Sequence, residues 1–287
     1  MTLLRVGQFS RSPVLIAARH LGWDAAQGLS LEVGPVPSSP AQFASLRDRE
    51  IDVALTSPDN VLLYASTDAN PLGERLPLRI HRGIDGGLGL CLMAGPQVAV
   101  PADFARTPVA VDVLQSGFAL LLKALLTRLG VDTTEVNFVQ EGATPRRADL
   151  LIEGTVGATI LNAESRVRAE TQGMRVWSTS LDISAIYPGT VLVTLADGPD
   201  VTPLLQLWER TTDWLLDTPA PEVQDLLFQE HEDLGAAAYL ELLRTPGIGL
   251  RRDAAVTPDE LDVLATLRRQ AGAFTPTPDA IRSLATT

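Results

Sequence analysis

Short apolar runs alternate with amphipathic stretches from the first residues onward. Leu4-Arg5-Val6-Gly7 reads as a strand, followed by the polar loop Phe9-Ser10-Arg11-Ser12-Pro13. Val14 to Leu21 then carries apolar residues at helical spacing and stops at Gly22. Leu31-Glu32-Val33 is a second strand. Pro37-Ser38-Ser39-Pro40 leads into a helix with Phe43 and Leu46 on one face. Glu50-Ile51-Asp52-Val53-Ala54-Leu55 is a third strand, ending at Thr56-Ser57-Pro58-Asp59-Asn60. Strand, polar loop and helix in this order predict βαβ units and a parallel sheet covered by helices.

The same order recurs further along. Val109-Ala110-Val111-Asp112 leads through Gln115-Ser116-Gly117 into the helix Phe118 to Leu129, which ends at Gly130. Val136 to Val139 is a strand, followed by Gly142-Ala143-Thr144-Pro145, a helix through Leu150 and Leu151, and the strand Thr155 to Leu161, which ends at Asn162-Ala163-Glu164. Ser39 and Thr144, Pro40 and Pro145, Leu46 and Leu151, and Ser57 and Asn162 are each 105 positions apart, and the offset drifts to 108 between Gly22 and Gly130. Each copy sets Ser/Thr-Pro at a helix start, where a hydroxyl caps free amides and proline is tolerated. Ser39 and Thr144 are therefore expected to be equivalent caps. Ligands of parallel α/β sheets sit beyond the carboxyl ends of the strands, at helix N-termini. Two such faces turned toward each other would make a polar cleft.

Leu76 to Ile84 and Gly87 to Met93 read as strands separated by the turn Asp85-Gly86. Ile186 to Thr194, with Tyr187-Pro188-Gly189 at its start, reads as a strand that returns the chain to the first half. Two crossings make a hinge. The expected division is a first lobe of residues 1–95 plus 192–287 and a second lobe of residues 96–191. Beyond Pro199 the pattern is helical: Leu204 to Leu216, Glu222 to His231, Ala236 to Leu243, Pro258 to Ala271, and a short last helix after Pro276-Thr277-Pro278. These helices are expected to pack on the first lobe. The fold class is α/β, two-lobed, with a helical C-terminal tail.

Charge narrows the partners. The 287 residues carry a formal net charge of -12, which repels phosphates and speaks against nucleic acid and anionic lipid. Cys91 is the single cysteine, and His20, His81 and His231 have no ligand spacing, so neither a metal nor a cofactor is expected. The longest uncharged run, Gly86 to Ala102, is too short and too broken by glycine and proline to span a membrane. Met1 to Gly7 has none of the features of a secretory signal, so the chain reads as cytoplasmic as encoded, or extracytoplasmic if a leader precedes it.

The candidate ligand residues follow from the loops. Ser10 and Ser12 lie in the first, where turn and cap chemistry is the competing role. Ser39 and Thr144 open helices that would suit an anion. Ser57, Asp59 and Asn60 end a strand, and Asn162 mirrors Ser57. Ser116 and Gly117 open the helix of the second half, where glycine permits close approach. Tyr187 offers a ring and a hydroxyl. Arg11 and Arg146 hint at an anionic ligand, and Glu141 reads as a solvated carboxylate. Cys91, inside Gly89-Leu90-Cys91-Leu92-Met93, is expected to be buried filler, so no nucleophile–base pair with His81 is expected.

Leu4-Arg5-Val6-Gly7, Glu50-Ile51-Asp52-Val53-Ala54 with Ser57-Pro58-Asp59-Asn60, and Val111-Asp112 with Ser116-Gly117-Phe118-Ala119 carry a family resemblance, extended by Gly142-Ala143-Thr144-Pro145-Arg146-Arg147 and Tyr187-Pro188-Gly189-Thr190. Over roughly residues 3 to 195 the chain resembles the substrate-binding proteins of nitrate/sulfonate/taurine-type ABC transporters, a branch of the type 2 periplasmic-binding fold. The resemblance implies lobe closure around a small organic anion or aromatic ligand, and an ABC permease as partner. It implies no membrane insertion. The family's export signal or lipid-anchor cysteine has no counterpart in the N-terminal residues. Cytosolic enzymes share the fold, among them a sulfinate desulfinase, dihydroxyphthalate decarboxylase and the menaquinone-pathway dehydratases. The alternative is therefore a decarboxylase, desulfinase or lyase acting on a small acid. Cleft loops rich in hydroxyls and amides, and poor in acid–base groups, favour binding.

Overall fold

The computed structural model describes residues 1–230 and 235–286. His231, expected at the end of a helix, lies outside the described residues. The first half runs β1 (Thr2–Gln8), α1 (Pro13–His20), α2 (Trp23–Ala26), β2 (Leu29–Pro35), α3 (Ser39–Arg47), β3 (Val53–Thr56), α4 (Pro58–Ser66) and β4 (Leu78–Gly83). The second runs β5 (Cys91–Ala94), β6 (Val109–Val111), α5 (Gly117–Arg128), β7 (Phe138–Gln140), α6 (Thr144–Ile152), β8 (Ala158–Leu161), α7 (Ala163–Thr171) and β9 (Arg175–Thr179). β10 (Val191–Leu195) returns to the first half, and α8 (Thr202–Asp217), α9 (Ala220–Glu230), α10 (Ala236–Arg244), α11 (Pro258–Gln270) and α12 (Pro278–Leu284) form the tail.

The duplication is reproduced strand for strand. One sheet has the order β2-β1-β3-β10-β4 and the other β7-β6-β8-β5-β9. In each, the three strands of the βαβ units run parallel, and an antiparallel strand is inserted beside the third. That inserted strand is contributed by a crossover between the halves: β5 on the way out, β10 on the way back. The expected boundary at residues 95/96 is thereby corrected. β5 pairs with β8 and β9, so Cys91–Ala94 belongs to the second sheet, and the chain crosses through residues 84–90. All four residues of β5 are buried. A strand buried on both faces reads as an unbroken apolar run, which does not say which sheet it joins.

The tail departs from expectation as well. α8 and α9 pack on α1 of the first lobe, but α10 also touches α7, and α11 touches both α4 and α5. It therefore straddles the lobes. The reason is Arg268 on α11, whose Nε reaches Asp59 Oδ1 at 2.7 Å while Nη2 bonds Oδ2, both side chains being almost fully buried. Asp59 sits in the first turn of α4. Against it lies Gly117, the first residue of α5, where a Cβ would come within 2.6 Å of the Asp59 Cβ. Thus α4 of one lobe, α5 of the other and α11 of the tail meet at one ion pair. One apolar core continues across this junction, from Phe43 stacked on Tyr64 at 4.1 Å to Phe104, Leu121 and Leu264.

Removing one member of a buried pair strands the other charge in an apolar surrounding. Arg268→Met is expected to cost about 3–5 kcal/mol, lowering the melting temperature by roughly 6–20 °C in a scanning calorimeter. The double variant Asp59→Leu/Arg268→Met should recover most of the loss, and a double variant no more stable than the single would refute this account.

Candidate ligand cleft

Serine placement sets the helix starts that face the space between the two sheets. Ser12 caps α1 by accepting from the Leu15 N–H at 3.4 Å, and its own N–H donates to Gln8 Oε1 at 3.0 Å. Ser57 caps α4 and Ser116 caps α5, the latter accepting from Ala119 N–H at 3.1 Å. In α3 the capping residue is Ser38, which is extended and accepts from Ala41 N–H at 3.4 Å. α6 starts after Ala143 and α7 after Asn162, and neither side chain caps. The first amides of those two helices have no side-chain acceptor from the cap position.

The beginnings of α1, α3, α4, α5, α6 and α7 all contribute to the wall of one cavity. It offers about 110 Å³ to the centre of a water-sized sphere. At roughly 10–15 Å³ per water on that measure, this is room for about seven to eleven waters, or a ligand of on the order of ten heavy atoms. Phe9, Leu55, Ile84, Leu88, Phe118 and Trp208 supply its apolar surface. An apolar pocket with a few convergent polar groups is the usual form of a small-molecule site.

Of the residues singled out from the sequence, Ser10, Ser12, Ser57, Asn60, Ser116, Gly117, Thr144 and Asn162 are in this wall. Ser39, Asp59 and Tyr187 are not. Ser39 is one position past the cap, buried in the first turn of α3 beside Tyr64; in a Ser-Ser-Pro run the first serine took the extended conformation. Asp59 is held by Arg268. Tyr187 is 3% exposed in the shared core near that pair, and burial pushes its hydroxyl pKa up. Thr144 is likewise not a cap. It lies in the first turn of α6, and its hydroxyl accepts from Arg147 at 3.2 Å.

Arg147, Asp85, Asp112 and Thr190 are wall residues that were not among the expected ligand contacts. Arg147 is 1% exposed. Its guanidinium donates to Thr159 Oγ1, Thr144 Oγ1 and the Ile160 carbonyl, each at 3.2 Å, and to the Gly142 carbonyl. No carboxylate bonds it among the described residues. Burial pulls its pKa down, and the nearby charge of Asp112 opposes that. Asp112 accepts from the Ser116 hydroxyl. The signal for Arg147 was present: Thr144, Arg147 and Leu151 fall on one helical face, which is the buried one. Arg146, the neighbour that suggested an anion, is exposed and pairs loosely with Glu141 at 3.9 Å.

At the floor, the two crossovers meet on Asp85. Its Oδ1 accepts from Gly87 N–H at 2.7 Å and Thr190 N–H at 3.2 Å, while Ile84 N–H donates to the Thr190 carbonyl at 2.8 Å. Gly189 packs so close that a Cβ would lie 2.0 Å from that oxygen. Leu88 and Ala163 both adopt left-handed φ of +48°, and Ala163 N–H donates to the Leu88 carbonyl at 2.9 Å. Strained non-glycine backbone of this kind tends to collect at functional sites. Across the mouth, Glu164 of α7 accepts from the Arg11 backbone N–H and lies beside its charge; burial nonetheless raises its carboxyl pKa. Neither Cys91 nor His81 lines this cavity. Cys91 is buried, its thiol pushed up to about 12 by burial, with Sγ 3.6 Å from the Leu161 carbonyl. His81 contacts Thr194 Oγ1 at 2.9 Å on the other sheet. Among the described residues, no cluster of metal-ligating side chains occurs, and no helix is long and apolar enough to cross a membrane.

Burial raises the Asp85 carboxyl to about 6, against the hydrogen bonds from Gly87 and Thr190 that favour its charged form. The folded chain then holds this proton more tightly than the unfolded chain. Its contribution to stability is largest below pH 4, declines as pH rises toward 6, and is flat above. The melting temperature of Asp85→Asn should lack this decline, worth up to about 3 kcal/mol, and identical pH profiles for the two proteins would contradict the assignment.

No protein-family model matches the chain, and no curated protein matches it by sequence. Solved structures do match. The alkanesulfonate-binding protein SsuA from Xanthomonas axonopodis pv. citri, bound to MOPS, is 15% identical with a TM-score of 0.73, covering 100% of this chain and 95% of its own. The periplasmic nitrate-binding protein NrtA from Synechocystis PCC 6803 is 13% identical with a TM-score of 0.78, covering 99% and 85%. The Candida albicans CA3427 gene product, described as exhibiting the generic periplasmic binding protein fold, is 16% identical with a TM-score of 0.68, covering 99% and 94%. At these identities the likeness is one of architecture: the chain has the two-lobed, type 2 periplasmic binding protein fold.

Proposed function

We propose that the chain is a solute-binding protein of the ABC-importer type, closing its lobes around a small organic acid or aromatic molecule in the cavity between the sheets. The observation that carries this reading is Arg147: a buried guanidinium in the cavity wall, beside the uncapped starts of α6 and α7, with no carboxylate bonded to it among the described residues. A buried cation at helix starts that no side chain caps attracts an anionic group. The apolar wall around it suits the carbon frame of the ligand, and the two crossovers supply the hinge for closure. The partner in such a role is a membrane permease that reads the closed form, and the chain would act outside the cytoplasmic membrane. The sulfonate-binding and nitrate-binding proteins of the same fold support this direction. An enzyme of the decarboxylase, desulfinase or lyase type is the alternative. The observation in its favour is Asp85, a wall carboxyl poised near neutrality. It has no nucleophile–base pair beside it among the described residues.

Native mass spectrometry of the purified protein, followed by thermal-shift screening of anions and small aromatics, tests the reading. A molecule bound unchanged supports it, and a molecule converted to product supports the enzyme. Arg147→Met should weaken binding of an acidic ligand by roughly 10- to 150-fold in calorimetric titration while its circular dichroism stays native. Undiminished affinity would remove Arg147 from the site.

A further inference from the structure

The first crossover has a partner on each side. Residues 248–254, between α10 and α11, run antiparallel to it. Gly83, Gly86 and Leu88 donate their N–H groups to the carbonyls of Ala254, Gly249 and Ile248 at 2.7, 3.1 and 2.8 Å, and Arg251 N–H donates to the Ile84 carbonyl at 2.9 Å. On the other side, Ile84 N–H donates to the Thr190 carbonyl and Gly189 N–H to the Asp85 carbonyl. The fit is tight on both flanks. A Cβ on Gly86 would lie 2.0 Å from the Gly247 carbonyl oxygen, and one on Gly189 would lie 2.0 Å from the Gly87 nitrogen. A crossover bonded along both edges is poorly suited to the large φ/ψ changes that a free hinge absorbs.

The same tail segment is tied to a second contact between the lobes. Arg251 Nη1 reaches Glu260 Oε1 at 2.5 Å, and its Nη2 donates to the Ala255 carbonyl at 2.7 Å. Glu260 Oε2 accepts from Thr257 N–H at 2.7 Å and so closes the capping box of α11. Arg268 lies eight residues further along that helix, about 12 Å at 1.5 Å per residue. There it holds Asp59, with Gly117 of the other lobe packed against the same carboxylate side chain.

We propose that α11 is a strut between the crossover ribbon and the Asp59–Arg268 pair, so that the empty protein rests with its lobes together and opens only when this strut is released at one of its ends. The inference goes beyond the solute-binding reading and does not depend on what the cavity holds. α11 touches α4 and α5 alike, so parting the lobes there strips it from one of them. Water then reaches the core that Leu121 and Leu264 share, and the ion pair that is almost fully buried beside it. At the other end, Arg251 is bonded through its backbone to the first crossover and through its side chain to the start of α11. A movement of the crossover is thereby carried to the helix that spans the lobes.

The test uses the full chain, shown by native mass spectrometry to carry no small molecule. Spin labels go on one exposed position of each lobe, in Ala26→Cys/Glu135→Cys; Cys91 is fully buried and takes no label. Pulsed electron–electron distance measurement should give a single narrow population for this parent. Arg268→Met in the same background should broaden the distribution and lengthen its mean by several ångströms. Arg251→Met should do the same although it leaves the Asp59–Arg268 pair in place, a response that an isolated ion pair would not give. Gly117→Ala, which sets a Cβ 2.6 Å from that of Asp59, should also part the lobes, and it takes the place of Arg268→Met if that variant melts too early to measure. A broad or two-peaked distribution in the parent would overturn the inference, as would distances that stay unchanged in Arg268→Met or its replacement. Lengthening in those variants without lengthening in Arg251→Met would reveal a latch uncoupled from the hinge and would equally overturn the strut. None of these outcomes bears on the solute-binding reading, which its own ligand screen judges.

Discussion

Two strands of backbone pass between the lobes, and both are tied to one carboxylate. Asp85 accepts an amide from each crossover, and Gly189 is the residue that lets them come this close. This junction and the Asp59–Arg268 pair against Gly117 are two points at which the halves are held together, and the first of them lines the cavity. Asp85 also lines the cavity, so the junction of the crossovers and the candidate site share a residue. Burial raises the pKa of that carboxyl to about 6, against the hydrogen bonds that both crossovers give it.

The two halves have the same topology but divide the chemistry between them. In the first, Ser12, Ser38 and Ser57 occupy the caps of α1, α3 and α4, and their hydroxyls satisfy helix amides. In the second, only Ser116 does this, while α6 and α7 begin without a side-chain cap. The duplicated scaffold therefore differs between its halves in how its helix starts are capped. Arg147, in the second half, spends most of its N–H groups on protein acceptors and contributes chiefly its charge to the cavity.

The C-terminal helices have no counterpart in the repeat. They bring Arg268 to Asp59, at a point where α5 of the other lobe is in contact. They also supply the segment around Leu250 that pairs with the first crossover. The tail thus touches both lobes and the first crossover.

The fold was largely readable in the chain. A strand–loop–helix order repeated at a spacing of 105 predicts two sheets of the same topology, because local patterning determines each βαβ unit and a duplicated pattern must fold in duplicate. The loops that face the cleft were readable for the same reason: strand ends and helix starts are local features. What the local pattern did not contain were choices made by distant residues. Which sheet Cys91–Ala94 would join was settled by register with β8 and β9, since a fully buried strand has no polar face to orient it. Asp59 looks like a cleft carboxylate until Arg268, 209 residues away, takes it into the core. Arg147 was overshadowed by its exposed neighbour, and Asp85 passed as an ordinary turn residue. The sequence alone determined where helices start and strands end; which polar side chains then face the cavity, and which are consumed in holding the lobes together, depended on charge pairs and close contacts that exist only once the halves and the tail have packed.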